Sequence, residues 1–158
     1  MGGIAQNATV SNVGSDRPSW DDYFLQIAEA VAGRGDCLRC KVGAVLVGQD
    51  KRIRSTGFNG SYPGGPSCLA GECPRCASDV PSGSSYEGCV EVHAEANALL
   101  YASWPDCQGS VLYVTREPCR DCSKLIRAAG ITRVVWRVAI SDLDEWRAED
   151  DVHSHRDW

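Results

Sequence analysis

The sequence predicts an α/β fold, a three-layer α/β/α sandwich with a mixed five-stranded sheet. Three observations point there. At 158 residues, 43% hydrophobic and 23% charged, the chain has the size and composition of one globular domain with its own core. Two extended, apolar segments, residues 42–47 and 52–57, flank a G-Q-D-K turn and read as a hairpin. From residue 110 onward strand and helix alternate, which favours parallel pairing and helices on both faces of the sheet.

The first sixteen residues are small, polar and without period, and are expected to form a flexible arm. The run P-S-W-D-D-Y-F-L-Q-I-A-E-A-V-A then sets Trp20, Phe24, Ile27 and Val31 at helical spacing, with Ser19 or Pro18 at the start and Gly33 as a stop. After the hairpin, residues 58–89 form a long irregular stretch rich in Gly, Pro and Ser that carries Cys68, Cys73, Cys76 and Cys89. A loop of that length inside a compact domain is functional or pinned by something. Residues 93–103 return to helix-forming types, and Trp104-Pro105 is expected to end them. Residues 110–115 read as a strand, 120–129 as a helix capped by Gly130, and 132–140 as a further apolar, β-branched strand. One domain is therefore expected over 17–140, with 141–158 as a short helix or polar tail.

A net charge of −5 argues against a broad basic face that holds a nucleic-acid backbone, so a compact substrate is favoured over a polymer. Nine cysteines are an odd number, in a chain too long for a disulfide-stapled secreted module. No basic n-region with an apolar h-region opens the chain, and no window reaches the apolar length of a membrane span. The expectation is a reducing, cytoplasmic setting with cysteines that mostly hold metal.

V-H-A-E-A-N-A, residues 92–98, places His93 two positions before Glu95; T-R-E-P-C-R-D-C, residues 115–122, places Cys119 and Cys122 three apart. Each motif stands at an expected helix start. Cysteines at i and i+3 in a first helical turn point to one side, where the positive end of the helix dipole stabilises thiolates. One imidazole and two thiolates make three ligands of a tetrahedral zinc site with an open position, the pattern of a catalytic rather than a structural ion. Two thiolates cancel the ion's charge, and Glu95 is within reach of the open position as a proton-carrying base. H-x-E followed by P-C-x-x-C is the signature of the zinc deaminases, whose hydroxide attacks an amidine carbon such as cytosine C4. A lone H-A-E is structural by default, and a lone P-C-x-x-C equally marks a redox pair or half of a zinc knuckle. Redox chemistry would leave His93 and Glu95 unexplained.

The segments C-L-R-C-K-V-G-A-V-L-V, S-T-G-F-N-G-S-Y-P-G-G-P-S-C, C-V-E-V-H-A-E-A-N-A-L-L and L-Y-V-T-R-E-P-C-R-D-C-S-K-L-I resemble the deoxycytidylate deaminase family of the cytidine deaminase-like superfamily, over residues 20–138. The resemblance implies hydrolytic deamination of a cytosine nucleotide, dCMP to dUMP plus ammonia. It further implies that Asn59 bonds the sugar, that the 58–67 loop, with Phe58 and Gly60, lies over the nucleotide, and that Ala94 offers backbone contact to the base. Independently of it, Gly57, Gly60, Gly64 and Gly65 permit close backbone approach to a ligand, although a plain surface turn is the alternative. Arg34, Arg39, Lys41 and Arg116 are candidates for the phosphate.

The resemblance also implies a second, structural zinc drawn from Cys37, Cys68, Cys73, Cys76 and Cys89, closing a loop too poor in apolar residues to pack itself. Cys40 and Cys107 are expected to be small buried hydrophobes. A homo-oligomer is expected on the same ground. Phe58 stands where the family has Tyr, and the chain after Trp136 departs from the family pattern, ending with His153 and His155 in a polar tail. The alternatives are a deaminase of the same superfamily acting on CMP, a 5-substituted cytidylate or another nucleobase, and a zinc module without catalysis. Asn97 receives no role.

Overall fold

The computed structural model describes residues 17–81 and 84–137. The expected N-terminal arm, the tail with His153 and His155, and residues 138–140 of the last expected strand lie outside them. Helix α1, Trp20–Ala32, starts where Ser19 Oγ accepts from the Asp22 amide, and Asp21 and Asp22 occupy its positive end. Its buried residues are Phe24, Leu25, Ala28 and Ala32, whereas Trp20 is 53% exposed and stacks on Phe24. The buried stripe thus runs through Leu25 and Ala28, and Trp20 caps it from the solvent side.

Strand β1, Gly43–Val47, is wholly buried. It pairs antiparallel with β2, Ile53–Phe58, on one side and with β3, Val111–Val114, on the other. Strand β4, Arg133–Val135, adds parallel to β3, which gives the order β2-β1-β3-β4. The sheet is mixed and has four strands among the described residues; a fifth, expected strand is not among them. The alternating side chains of β1 and β3 feed two cores. Val45, Val47 and Tyr113 pack with Phe24, Leu25 and Ala28 of α1. Ala44, Leu46, Leu112 and Val114 pack with Ala94 and Ala98 of α2, Ala94–Leu100, and with Ile126 of α4, Arg120–Ala128.

Trp104-Pro105 does not simply stop a helix. It opens a separate short one, α3, Trp104–Cys107, capped by Ser103, because proline is well suited to a first helical turn. Cys107 is buried in the second core, as a small apolar residue should be. No helix of the described residues is long and apolar enough to cross a membrane.

Candidate active site

His93 is the residue that starts α2, and Cys119 the one that starts α4; both have extended backbone just before the helix turns begin. Cys119 Sγ also accepts from the Cys122 amide, which fixes the thiol over the helix end. Since both helices pack on one face of the sheet, their N-termini meet. His93 Nδ1 lies 3.5 Å from Cys119 Sγ and 3.4 Å from Cys122 Sγ. Zinc held tetrahedrally at the usual bond lengths would set N···S edges of about 3.5 Å. The donors therefore already stand at the spacing of a zinc site.

Glu95, in the first turn of α2, is 4% exposed. Burial raises its pKa, opposed by its own backbone amide, the His93 charge and the Cys122 thiol. Burial, followed by the neighbouring Glu95 and Cys119, pushes the Cys122 thiol up as well. A dication beside these groups reverses that order and favours the thiolates. His93, Cys119 and Glu95 open into a cleft whose walls include Asn59, Glu91, Ala94 and Arg116.

Residues 18–138 match the family model of the cytidine and deoxycytidylate deaminase zinc-binding region. The chain belongs to this deaminase family. It is 56% identical over 125 residues to the deoxycytidylate deaminase of Mycobacterium phage D29, covering 76% of this chain and 95% of the relative. It is 39% identical over 135 residues to that of Schizosaccharomyces pombe, of which it spans 42%. The apo dCMP deaminase of cyanophage S-TIM5 shares the fold with a TM-score of 0.60 at 29% identity, over 84% of this chain and 94% of that one. The same enzyme in complex with dCMP and dUMP gives 0.59 at 30%.

Within the deaminase framework, the structure brings Asn59, Ala94 and Arg116 to the cleft together with His93, Cys119 and Glu95. Phe58 is half-exposed, and the amide and carbonyl of Gly60 pair with Val92, so neither is a wall of the cleft. Asn59 is held from three sides: its Oδ1 accepts from the Val42 amide at 2.7 Å, and its Nδ2 donates to Cys40 O at 2.8 Å and Glu91 Oε2 at 2.9 Å. Asn97, without a role in the sequence, donates to Phe58 O and so ties α2 to the end of β2.

The irregular loop is pinned, not loose. Asp36 accepts from Ser67 Oγ and the Cys68 amide, and the Arg39 guanidinium donates to the carbonyls of Arg75, Ser78 and Val80. Of the five loop cysteines, Cys37, Cys68 and Cys76 come together with sulfurs within 4.8 Å of one another. Cys73 and Cys89 fall outside that triplet. Amide and thiol hydrogen bonds outweigh burial at Cys73 and bring it down to about 7, while burial pushes Cys89 up to about 11. Glu91 was not legible as a site residue. Its Oε1 is buried with no hydrogen-bond partner, and the Cys37 and Cys68 thiols lie against the same carboxylate. The one signal was a carboxylate inside the apolar run that leads into H-A-E.

Proposed function

We propose that this protein is a zinc-dependent deoxycytidylate deaminase that converts dCMP and water to dUMP and ammonia. The observation that carries this reading is the tetrahedrally spaced donor set of His93, Cys119 and Cys122 with the buried Glu95 beside it. A zinc ion held by those three residues supplies a water acidified to near-neutral pKa. Glu95 takes one proton of the attacking water and delivers it to the ring nitrogen beside C4, then carries the second proton, from the hydroxyl now on C4, to the amino group, so that the C4–N bond breaks, ammonia leaves and a C4 carbonyl remains. The backbone at Ala94 contacts the base and Asn59 the sugar, with Phe58 and Gly60 shaping the loop above.

The 5′-phosphate is assigned to Arg116. Three arginines line the cleft, Arg39, Arg75 and Arg116. Arg39 is taken up by three carbonyls, and Arg75 donates to Ser84 O and stacks on Tyr86. Arg116 is exposed at the rim beside the Cys40 thiol.

A second, structural zinc is part of the same reading. The Cys37 and Cys76 sulfurs are 3.9 Å apart, against about 3.8 Å for an S···S edge of a tetrahedral zinc site. Cys37, Cys68 and Cys76 would hold it. The fold is taken as a five-stranded three-layer sandwich over 17–140, supported by α1 on one face of the sheet and α2 and α4 on the other. A cytoplasmic homo-oligomer completes the reading; Leu100, Tyr101 and Trp104 offer it exposed apolar surface.

The test is Glu95→Gln, followed by the ultraviolet change and ammonia release with dCMP, CMP, 5-methyl-dCMP and deoxycytidine. Wild type should prefer dCMP, and the variant should lose about 10²–10⁴-fold in kcat while retaining zinc. Turnover of nucleosides only, or an active variant, would overturn the reading.

A further inference from the structure

We propose that Tyr86 and Arg75 are positioning residues that hold the His93 imidazole in the orientation a metal needs, an inference that rests on the zinc reading of the triad. His93 Nδ1 must point at two thiols, so rotation of its ring decides whether the third donor is in place. The Tyr86 ring meets the His93 ring edge-to-face, with centroids 4.9 Å apart and planes at 79°. Arg75 in turn places its guanidinium 4.6 Å from the centre of the Tyr86 ring. Arg75 is 7% exposed, and its Nε donates to Ser84 O at 2.9 Å.

The backbone is bent to make this stack. Ser85 has φ 54° and ψ 45°, a left-handed conformation uncommon outside glycine that persists where its surroundings enforce it. The following 3-10 turn, Tyr86–Gly88, is closed by the Cys89 amide donating to Tyr86 O. Arg75 lies between Cys73 and Cys76, and its carbonyl accepts from Arg39 and Ser78. The chain of contacts thus runs from the cysteine loop through a cation-π pair and an aromatic edge to the metal-binding ring. Groups behind a ligand imidazole act on metal affinity and geometry without ligating the metal themselves.

The test reads turnover on the zinc protein and metal binding on protein loaded with cadmium-113 and labelled with nitrogen-15 histidine, in a His153→Gln, His155→Gln background where only a metal bound by His93 shows a nitrogen-coupled cadmium signal. Tyr86→Leu should broaden or lose that signal, speed stripping of that ion by a chelator about tenfold, and lower kcat more than it raises KM. Tyr86→Phe, which keeps the ring, should restore all three. Arg75→Gln should reproduce the Tyr86→Leu pattern more weakly, and it carries the test if Tyr86→Leu fails to fold. A Tyr86→Leu or Arg75→Gln protein with wild-type signal and stripping rate would overturn the proposal. No coupled signal in wild type would overturn the zinc reading and the proposal with it. Absence of dCMP turnover in a wild type that shows the signal would overturn only the proposed reaction.

Discussion

Gly57 in β2 lies directly against the Ala94 carbonyl and the Ala98 amide of α2, leaving no room for even a methyl group. This contact sets how close the helix that carries His93 and Glu95 stands to the sheet. Gly57→Ala should therefore push α2 outward and cost about 1–3 kcal/mol as overpacking. The fall in melting temperature should come with a loss of kcat, because the displaced helix carries one proposed ligand and the proposed proton shuttle. A variant with unchanged melting and turnover would show that α2 has room to move.

The loop thiols should hold a metal of their own. Atomic absorption on the purified protein should find two zinc ions per chain, falling to one in Cys68→Ser and in Cys76→Ser. Both variants should also become more sensitive to proteolysis between residues 60 and 90, since a bound metal contributes folding energy to a loop with little apolar packing. A wild-type content of one ion would remove the second site.

Arg116 should matter for the phosphate and not for the chemistry. A hydrogen bond to a charged group contributes about 1.5–3 kcal/mol, or roughly ten- to a hundredfold in binding. Arg116→Gln should raise KM for dCMP by that factor, leave kcat near its wild-type value, and barely change any turnover of deoxycytidine. Equal effects on nucleotide and nucleoside would move the phosphate site elsewhere.

Asp21 links α1 to β3 and β4. Its carboxylate accepts from Arg133 Nη2 at 2.6 Å, from Nη1 at 3.1 Å and from the Tyr113 hydroxyl at 2.8 Å. The Arg133 hydrogen bond leads the effects that hold its carboxyl below the usual range, against an opposing contribution from burial. Burial and the neighbouring Asp21 push Tyr113 up to about 12. A carboxyl with a depressed folded pKa adds stability above its unfolded value, about 4, and loses it as pH falls through the folded value. Both partners are more than a third exposed, so Asp21→Asn should cost only about 1 kcal/mol at neutral pH. Denaturant melts should show that gap closing toward pH 3; a gap independent of pH would assign the effect to packing.

Most of the framework was legible from residue type and spacing. Ser19, Gly33, Gly130 and the G-Q-D-K turn bound their elements because capping and turn formation are decided by neighbours in the chain. The hairpin and the α4 start differ from expectation by a residue at most. Trp104-Pro105 was misleading because proline disfavours helix before it and favours helix after it, and only the Ser103 cap resolves which applies.

The same division runs through the site. By itself, the sequence marked His93, Cys119 and Cys122 as candidate ligands and Glu95 as candidate proton carrier, since His93 and Glu95 share one helix start, Cys119 and Cys122 share another, and the spacing within each is a property of a first helical turn. Tertiary structure alone decided which three of the five candidate cysteines meet, that Glu91 lies beside two of them, that Arg39 is consumed by carbonyls, and that Tyr86 abuts His93. Those choices depend on how some thirty residues of irregular backbone are pinned by Asp36, Arg39 and Arg75, and contacts across such a loop leave no periodic trace in the chain.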